Sequence, residues 1–176
     1  GTAMVGDPSG RSELRQMMTV GIIEDNRKLI ETQVQRFVAA AGESALVVDN
    51  AEWLRPLNYL EFLRDVGRHF SVNRMLAAEA YKQRLEKGLS FIEFNYQILQ
   101  AYDFLVLRRK YGCTLQLGGD DQWGNILSGV DLIRRRHGAA VHDYCWPLLN
   151  GVDGTKLGKT AGARGPATQY ALRNRR

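Results

Sequence analysis

The sequence predicts an α/β fold, a parallel sheet with helices on both faces. Three observations predict it. Short apolar runs alternate with longer amphipathic segments, the pattern of strand, crossover helix and parallel strand. The residues able to do chemistry cluster just after those runs: Asp7, Asn50, residues 118–122 and a lysine-bearing loop. That is where ligands sit in open α/β sheets. Finally, residues 90–109 carry Phe91, Phe94, Ile98, Leu99, Tyr102, Leu105 and Leu107 round most of a helix, which calls for burial on several sides.

Taken in order, residues 1–10 read as a short buried strand running into turn chemistry at Asp7-Pro8-Ser9-Gly10. A chain seldom opens inside a core strand, so the expectation is that something upstream has been removed. An amphipathic helix follows, with Asp25 or Asn26 as cap, Ile30, Val34, Phe37, Val38 and Ala41 as buried face, and Gly42 as its end. Residues 45–48, Ala-Leu-Val-Val, form a second strand by length and branching, stopping at Asp49-Asn50. After Pro56, residues 57–66 and 71–87 are helices, the latter closed by Gly88. Ser90 with Glu93 makes a capping box for the next helix, and Leu89 can staple onto Phe94. Residues 113–117 are the third strand. The helix after 118–121 buries Trp123, Ile126, Leu127, Val130 and Ile133 and closes at Gly138, and residues 144–149 are the last strand.

Composition narrows the class. At 176 residues the chain is long enough for one domain with a real core. The net charge of +5 is mild, and its sources cluster at Arg134 to Arg136 and at Arg164, Arg173, Arg175 and Arg176, which permits an anionic partner without demanding one. Cys113 and Cys145 form no Cys-x-x-Cys pair and read as reduced thiols of a cytosolic protein. His137, His142 and Cys145 have no standard zinc spacing, so no tightly bound metal is expected. No apolar run reaches membrane-spanning length.

Tyr96, Gln100 and Asp103 fall at i, i+4 and i+7, one narrow stripe on an otherwise apolar helix. A sunken carboxylate and amide need partners. They either satisfy one another and nearby backbone or face a pocket. Gly118-Gly119 lets the backbone come close to a ligand. Asp120 and Asp121 repel phosphate and suit hydroxyls such as ribose, although for Asp120 an ordinary helix cap is the better reading. Lys156-Leu157-Gly158-Lys159-Thr160 is not a P-loop, because Asp153 stands where its first glycine belongs. Two lysines on a glycine-bearing loop can still neutralise a polyphosphate, with Arg11 and Arg15 as an opposing clamp.

Together these pieces resemble the middle of a bacterial-type tyrosyl-tRNA synthetase, a class I aminoacyl-tRNA synthetase. The residues that carry the resemblance are Val5-Gly6-Asp7-Pro8-Ser9-Gly10, Phe62-Leu63-Arg64-Asp65-Val66-Gly67, Phe94-Asn95-Tyr96 on to Asp103-Phe104, Leu115-Gln116-Leu117-Gly118-Gly119-Asp120-Asp121-Gln122-Trp123-Gly124-Asn125, and Asp153-Gly154-Thr155-Lys156-Leu157-Gly158-Lys159-Thr160. The last is similar to the Lys-Met-Ser-Lys-Ser signature loop. The likeness extends over residues 1–160. It implies a parallel Rossmann-like sheet flanked by helices, with a helical insertion at about 54–90 and without its first strand. Residues 161–176 form a divergent basic tail.

The resemblance also implies roles. Tyr96, Gln100 and Asp7 would hold the ammonium of L-tyrosine, Asp103 its phenolic hydroxyl, and Gln122 its carboxylate, with Thr2 beside the pocket. Gly119 and Asp121 would meet the ribose of ATP, and Leu148 and Leu149 its adenine. Lys156, Lys159, Arg11 and Arg15 would hold pyrophosphate as the carboxylate attacks the α-phosphorus, with Mg2+ accompanying ATP and no side chain acting as nucleophile. Partners would be tRNA(Tyr) and a second copy, docked through the insertion near Phe91, in the cytoplasm. The histidine signature, the first strand and the RNA-binding domains of the family are not in the chain, and Asp120 replaces a small polar residue. The 176-residue chain is therefore expected to activate tyrosine poorly or not at all. Two other readings compete: the sister tryptophan enzyme, which Asp103 and Tyr96 disfavour, and a non-catalytic remnant that binds RNA.

Overall fold

The structure, a computed structural model, describes residues 1–5, 18–77, 81, 85 and 88–148. The elements are a 3-10 turn at Thr2–Met4, α1 (Val20–Ala40), α2 (Ala51–Leu54), α3 (Tyr59–Asp65), a 3-10 turn at Gly67–His69, α4 (Val72–Leu76), α5 (Phe91–Tyr111), β1 (Leu115–Gly119), a 3-10 turn at Asp120–Gln122, α6 (Trp123–His137) and β2 (His142–Trp146).

The apolar girdle of α5 makes it the centre of the core. Ile98, Ala101, Phe104 and Leu105 cluster with Leu132 and Ile133 of α6 and with Phe62, Val66, Met75 and Val141. Gly129 permits this approach: a Cβ there would stand 3.0 Å from Phe104 Cδ1 and 3.5 Å from Ala101 Cα. The edge of one ring meets the face of the other at Phe62 and Tyr102, 5.4 Å between centroids. α5 opens where expected, with Phe94 N–H donating to the Ser90 carbonyl at 3.0 Å.

β1, α6 and β2 form the parallel crossover unit that the alternation predicts. Leu115 pairs with His142 and Gly119 with Trp146, and His142 N–H donates to the Thr114 carbonyl at 2.8 Å where the ladder begins. α6 ends at Gly138, whose φ of 61° suits glycine and whose N–H returns to the Arg134 carbonyl. Gly118 brings the strand under the helix, since a Cβ there would lie 2.7 Å from Ile126 Cδ1.

Several expectations fail, each for a physical reason. Thr2–Met4 is a turn and not a strand, because its amides bond three residues back, Met4 N–H to Gly1 and Val5 N–H to Thr2. Residues 45–48 have strand composition, yet a strand exists through its ladder, and no described segment pairs with them. Leu46 is 72% exposed. α1 starts six residues early: its cap is Thr19, whose hydroxyl accepts from Ile22 N–H at 3.4 Å, rather than Asp25 or Asn26. Its apolar face is uncovered, with Phe37 71% exposed alongside Ile30 and Val34, since its main contact among the described elements is the Thr2–Met4 turn. Trp123 is half out of the core because α6 turns Ile126, Gly129, Leu132 and Ile133 inward instead. α3 begins later than predicted, at Tyr59, because Asn58 caps it by accepting from Leu60 and Glu61 N–H. Of the helix expected over 71–87, α4 covers Val72–Leu76, and residues 78–80, 82–84, 86 and 87 lie outside the described residues.

Candidate amino-acid and nucleotide site

The chemistry gathers where α2 meets the stripe on α5. Tyr96, Gln100 and Asp103 are all half-buried on α5. The chain itself supplies Asp103 with two donors. Trp53 Nε1 donates to Oδ1 at 2.7 Å, and Asn50 Nδ2 donates to Oδ2 at 2.8 Å. Asn50 Nδ2 also reaches Thr2 Oγ1 at 3.1 Å, so Thr2, Asn50, Trp53 and Asp103 form one network across the first half of the chain. Asp103 is thus not the waiting, unpartnered acceptor that the spacing left open. An ionised carboxylate offers about four lone-pair positions, so two donors leave it able to accept more.

Burial raises the Asp103 carboxyl above its ordinary range, against the opposing pull of the Asn50 and Trp53 hydrogen bonds and the Gly1 ammonium. Between the ordinary value of 3.8 and the raised one, the native chain holds more protons than the unfolded chain. The Asp103 contribution to stability is therefore full below 3.8 and is lost as pH rises through the native value. Urea midpoints measured across this window are expected to fall with pH in the parent relative to Asp103→Asn, in which the difference disappears.

The fully buried amide of α5 is Gln97 rather than Gln100. It is 5% exposed, donates to the Gly124 carbonyl at 3.1 Å and to Ser128 Oγ, and pins α5 to the start of α6. At the end of β1, Gly119, Asp121 and Leu148 come together. A Cβ on Gly119 would stand 2.6 Å from Leu148 Cδ2 and 2.8 Å from Asp121 Oδ1. The glycine lets strand end, carboxylate and leucine crowd one spot without either side chain having to move aside. Gln122, half-buried in the following turn, accepts from Asn125 Nδ2 at 3.2 Å. Asp7, Arg11, Arg15, Leu149, Lys156 and Lys159 lie outside the described residues. A groove between α1 and α2 is lined by Glu24, Arg27, Asp49, Ala51, Glu52 and Arg55. Its Arg27 is already held by Glu24, Glu31 and Asp49.

Sequence reasoning missed Trp53. The signal was a tryptophan five residues beyond a predicted strand, whose indole N–H must find an acceptor once buried.

A sequence profile described as tRNA synthetases class I (W and Y) matches residues 1–166. The chain belongs to that family, and its fold is the Rossmann-like α/β fold of class I synthetases. Within the family it is similar to tyrosine–tRNA ligases. That of Fusobacterium nucleatum is 58% identical over 161 residues, covering 92% of this chain and 40% of the relative. That of Acetivibrio thermocellus is 58% identical over 160 residues, 91% of this chain and 39% of the relative. Among solved structures, a C-terminally truncated mitochondrial tyrosyl-tRNA synthetase of Aspergillus nidulans superposes with a TM-score of 0.68 at 28% identity, covering 90% of this chain and 52% of that one. The chain spans about two-fifths of the length of the curated relatives it matches.

Proposed function

We propose that this chain is a catalytic-domain segment of a tyrosine–tRNA ligase, which activates L-tyrosine with ATP and transfers it to tRNA(Tyr). The observation that carries the reading is a half-buried carboxylate, Asp103, oriented by two N–H donors and able to accept a further hydrogen bond. Such a group suits a phenolic hydroxyl. Tyr96 and Gln100 on the same stripe, with Asp7, hold the ammonium, and Gln122 meets the carboxylate. Gly119, Asp121, Leu148 and Leu149 receive the adenosine. Arg11, Arg15, Lys156 and Lys159 stabilise the pyrophosphate that leaves as the tyrosine carboxylate attacks the α-phosphorus. Catalysis is then positioning and charge stabilisation, and Mg2+ enters with ATP. The exposure of Phe91, 70%, supports its place at the surface of a homodimer formed through the helical insertion. A cytoplasmic location is proposed on the family alone.

The test is a thermal-shift comparison of the chain with L-tyrosine, L-phenylalanine and L-tryptophan. Tyrosine is expected to raise the melting temperature most. A larger rise with tryptophan would transfer the chain to the sister specificity. Crosslinking to tRNA with no response to any amino acid would favour the RNA-binding remnant.

A further inference from the structure

We propose that Gln97 is a positioning residue that sets the spacing between the amino-acid and nucleotide halves of the site, acting through the register of α5 on α6. The inference rests on the reading of the α5 stripe as the tyrosine side and the end of β1 as the ATP side. Gln97, Ala101 and Phe104 fall at i, i+4 and i+7 on α5, and each directly follows a member of the stripe Tyr96, Gln100 and Asp103. All three meet α6, at Gly124, Ser128 or Gly129. The face of α5 that packs on α6 is therefore the immediate neighbour of the stripe, and any slide or roll of α5 carries the stripe with it. On α6, Gly124 stands in the first turn, directly after the Asp120–Gln122 turn and Trp123.

The apolar part of this contact has no preferred direction. Phe104 and Ala101 lie against Gly129, and dispersion and burial hold them there without fixing a register. Gln97 adds direction. Of the two protons on its NH2, one goes to the Gly124 carbonyl at 3.1 Å and the other to Ser128 Oγ. Ser128 Oγ in turn donates to the same carbonyl at 2.9 Å. The three groups close a triangle, and a shift of α5 along α6 breaks both bonds of the amide. Stability does not account for an amide at this place. Gln97 is 5% exposed, and its Oε1 meets no donor among the described residues. A methionine of similar length would fill the space without burying that oxygen. What the amide supplies is a fixed distance between the stripe and the head of α6, hence between the tyrosine carboxylate and the ATP that it attacks.

A ligand that spans both halves reports this distance, because its gain over the separate pieces depends on both fitting at once. Equilibrium dialysis of the 176-residue chain compares L-tyrosine, AMP and a sulfamoyl analogue of tyrosyl-adenylate, for the parent, Gln97→Met and Ser128→Ala. Gln97→Met is expected to leave tyrosine and AMP within about twofold and to weaken the joined analogue about tenfold, short of the roughly 100-fold that a misplacement of about 1 Å can cost. Ser128→Ala removes one corner of the triangle and is expected to weaken the analogue alone, by less. Unchanged analogue affinity in Gln97→Met overturns the inference. So does a loss matched by tyrosine or AMP, which is what a purely structural role produces. If Gln97→Met does not fold, Ser128→Ala decides by the same comparison. Tyrosine binding by the parent with no gain from the joined analogue overturns this inference alone. No tyrosine binding by the parent overturns the functional reading itself, and this inference with it.

Discussion

Replacing Phe104 by alanine is expected to lower the unfolding free energy by about 3–5 kcal/mol, a large part of the stability of a domain this size. Phe104 has no exposed surface, and its ring lies against Gly129 of α6. Removing it leaves a cavity between two helices whose approach is set by backbone near Ala101, so the site can collapse only partly. The control is Phe91→Ala on the same helix. At 70% exposure Phe91 buries little within one chain, and at protein concentrations too low for self-association its loss is expected to change stability by no more than about 0.5 kcal/mol. Urea denaturation of the two variants measures both values. A Phe104→Ala cost below about 1 kcal/mol would mean that the α5–α6 contact is not the core.

Much of this was legible in the sequence, and the pattern of failures has a cause. The central helix, the crossover from β1 through α6 to β2, and the closing Gly138 are all local: periodicity, a capping serine, a glycine at positive φ. The two strands expected at 1–10 and 45–48 fail because they depend on partners that composition cannot name. Residues 45–48 have the branching of a strand, but a ladder is a property of two segments, and composition reports only one. The exposed face of α1 failed for the same reason, since amphipathicity states that a face wants cover and says nothing of what covers it. The site divides likewise. The stripe of Tyr96, Gln100 and Asp103 follows from helical spacing, whereas the Asn50–Asp103–Trp53 network depends on two segments 50 residues apart meeting. The crowding of Gly119 against Leu148 was hidden too, because a glycine pair announces a close approach without naming the neighbour.

The Asp103 carboxylate is where specificity is expected to break most sharply. In Asp103→Asn one oxygen becomes an NH2, and either orientation sets that group against a donor: Trp53 Nε1 on one side or Asn50 Nδ2 on the other. The amide cannot satisfy both, so it is driven out of the position that the phenol would need. It also loses the charge that makes an accepted hydrogen bond worth about 1.5–3 kcal/mol. The tyrosine-to-phenylalanine affinity ratio is therefore expected to fall about 10- to 150-fold, with tyrosine carrying the loss. Dialysis against both amino acids at neutral pH gives the ratio directly. Since phenylalanine never uses the acceptor, its affinity is the internal check on folding. If both affinities hold in Asp103→Asn, the hydroxyl is read by some other group, and the polar stripe of α5 is internal scaffolding.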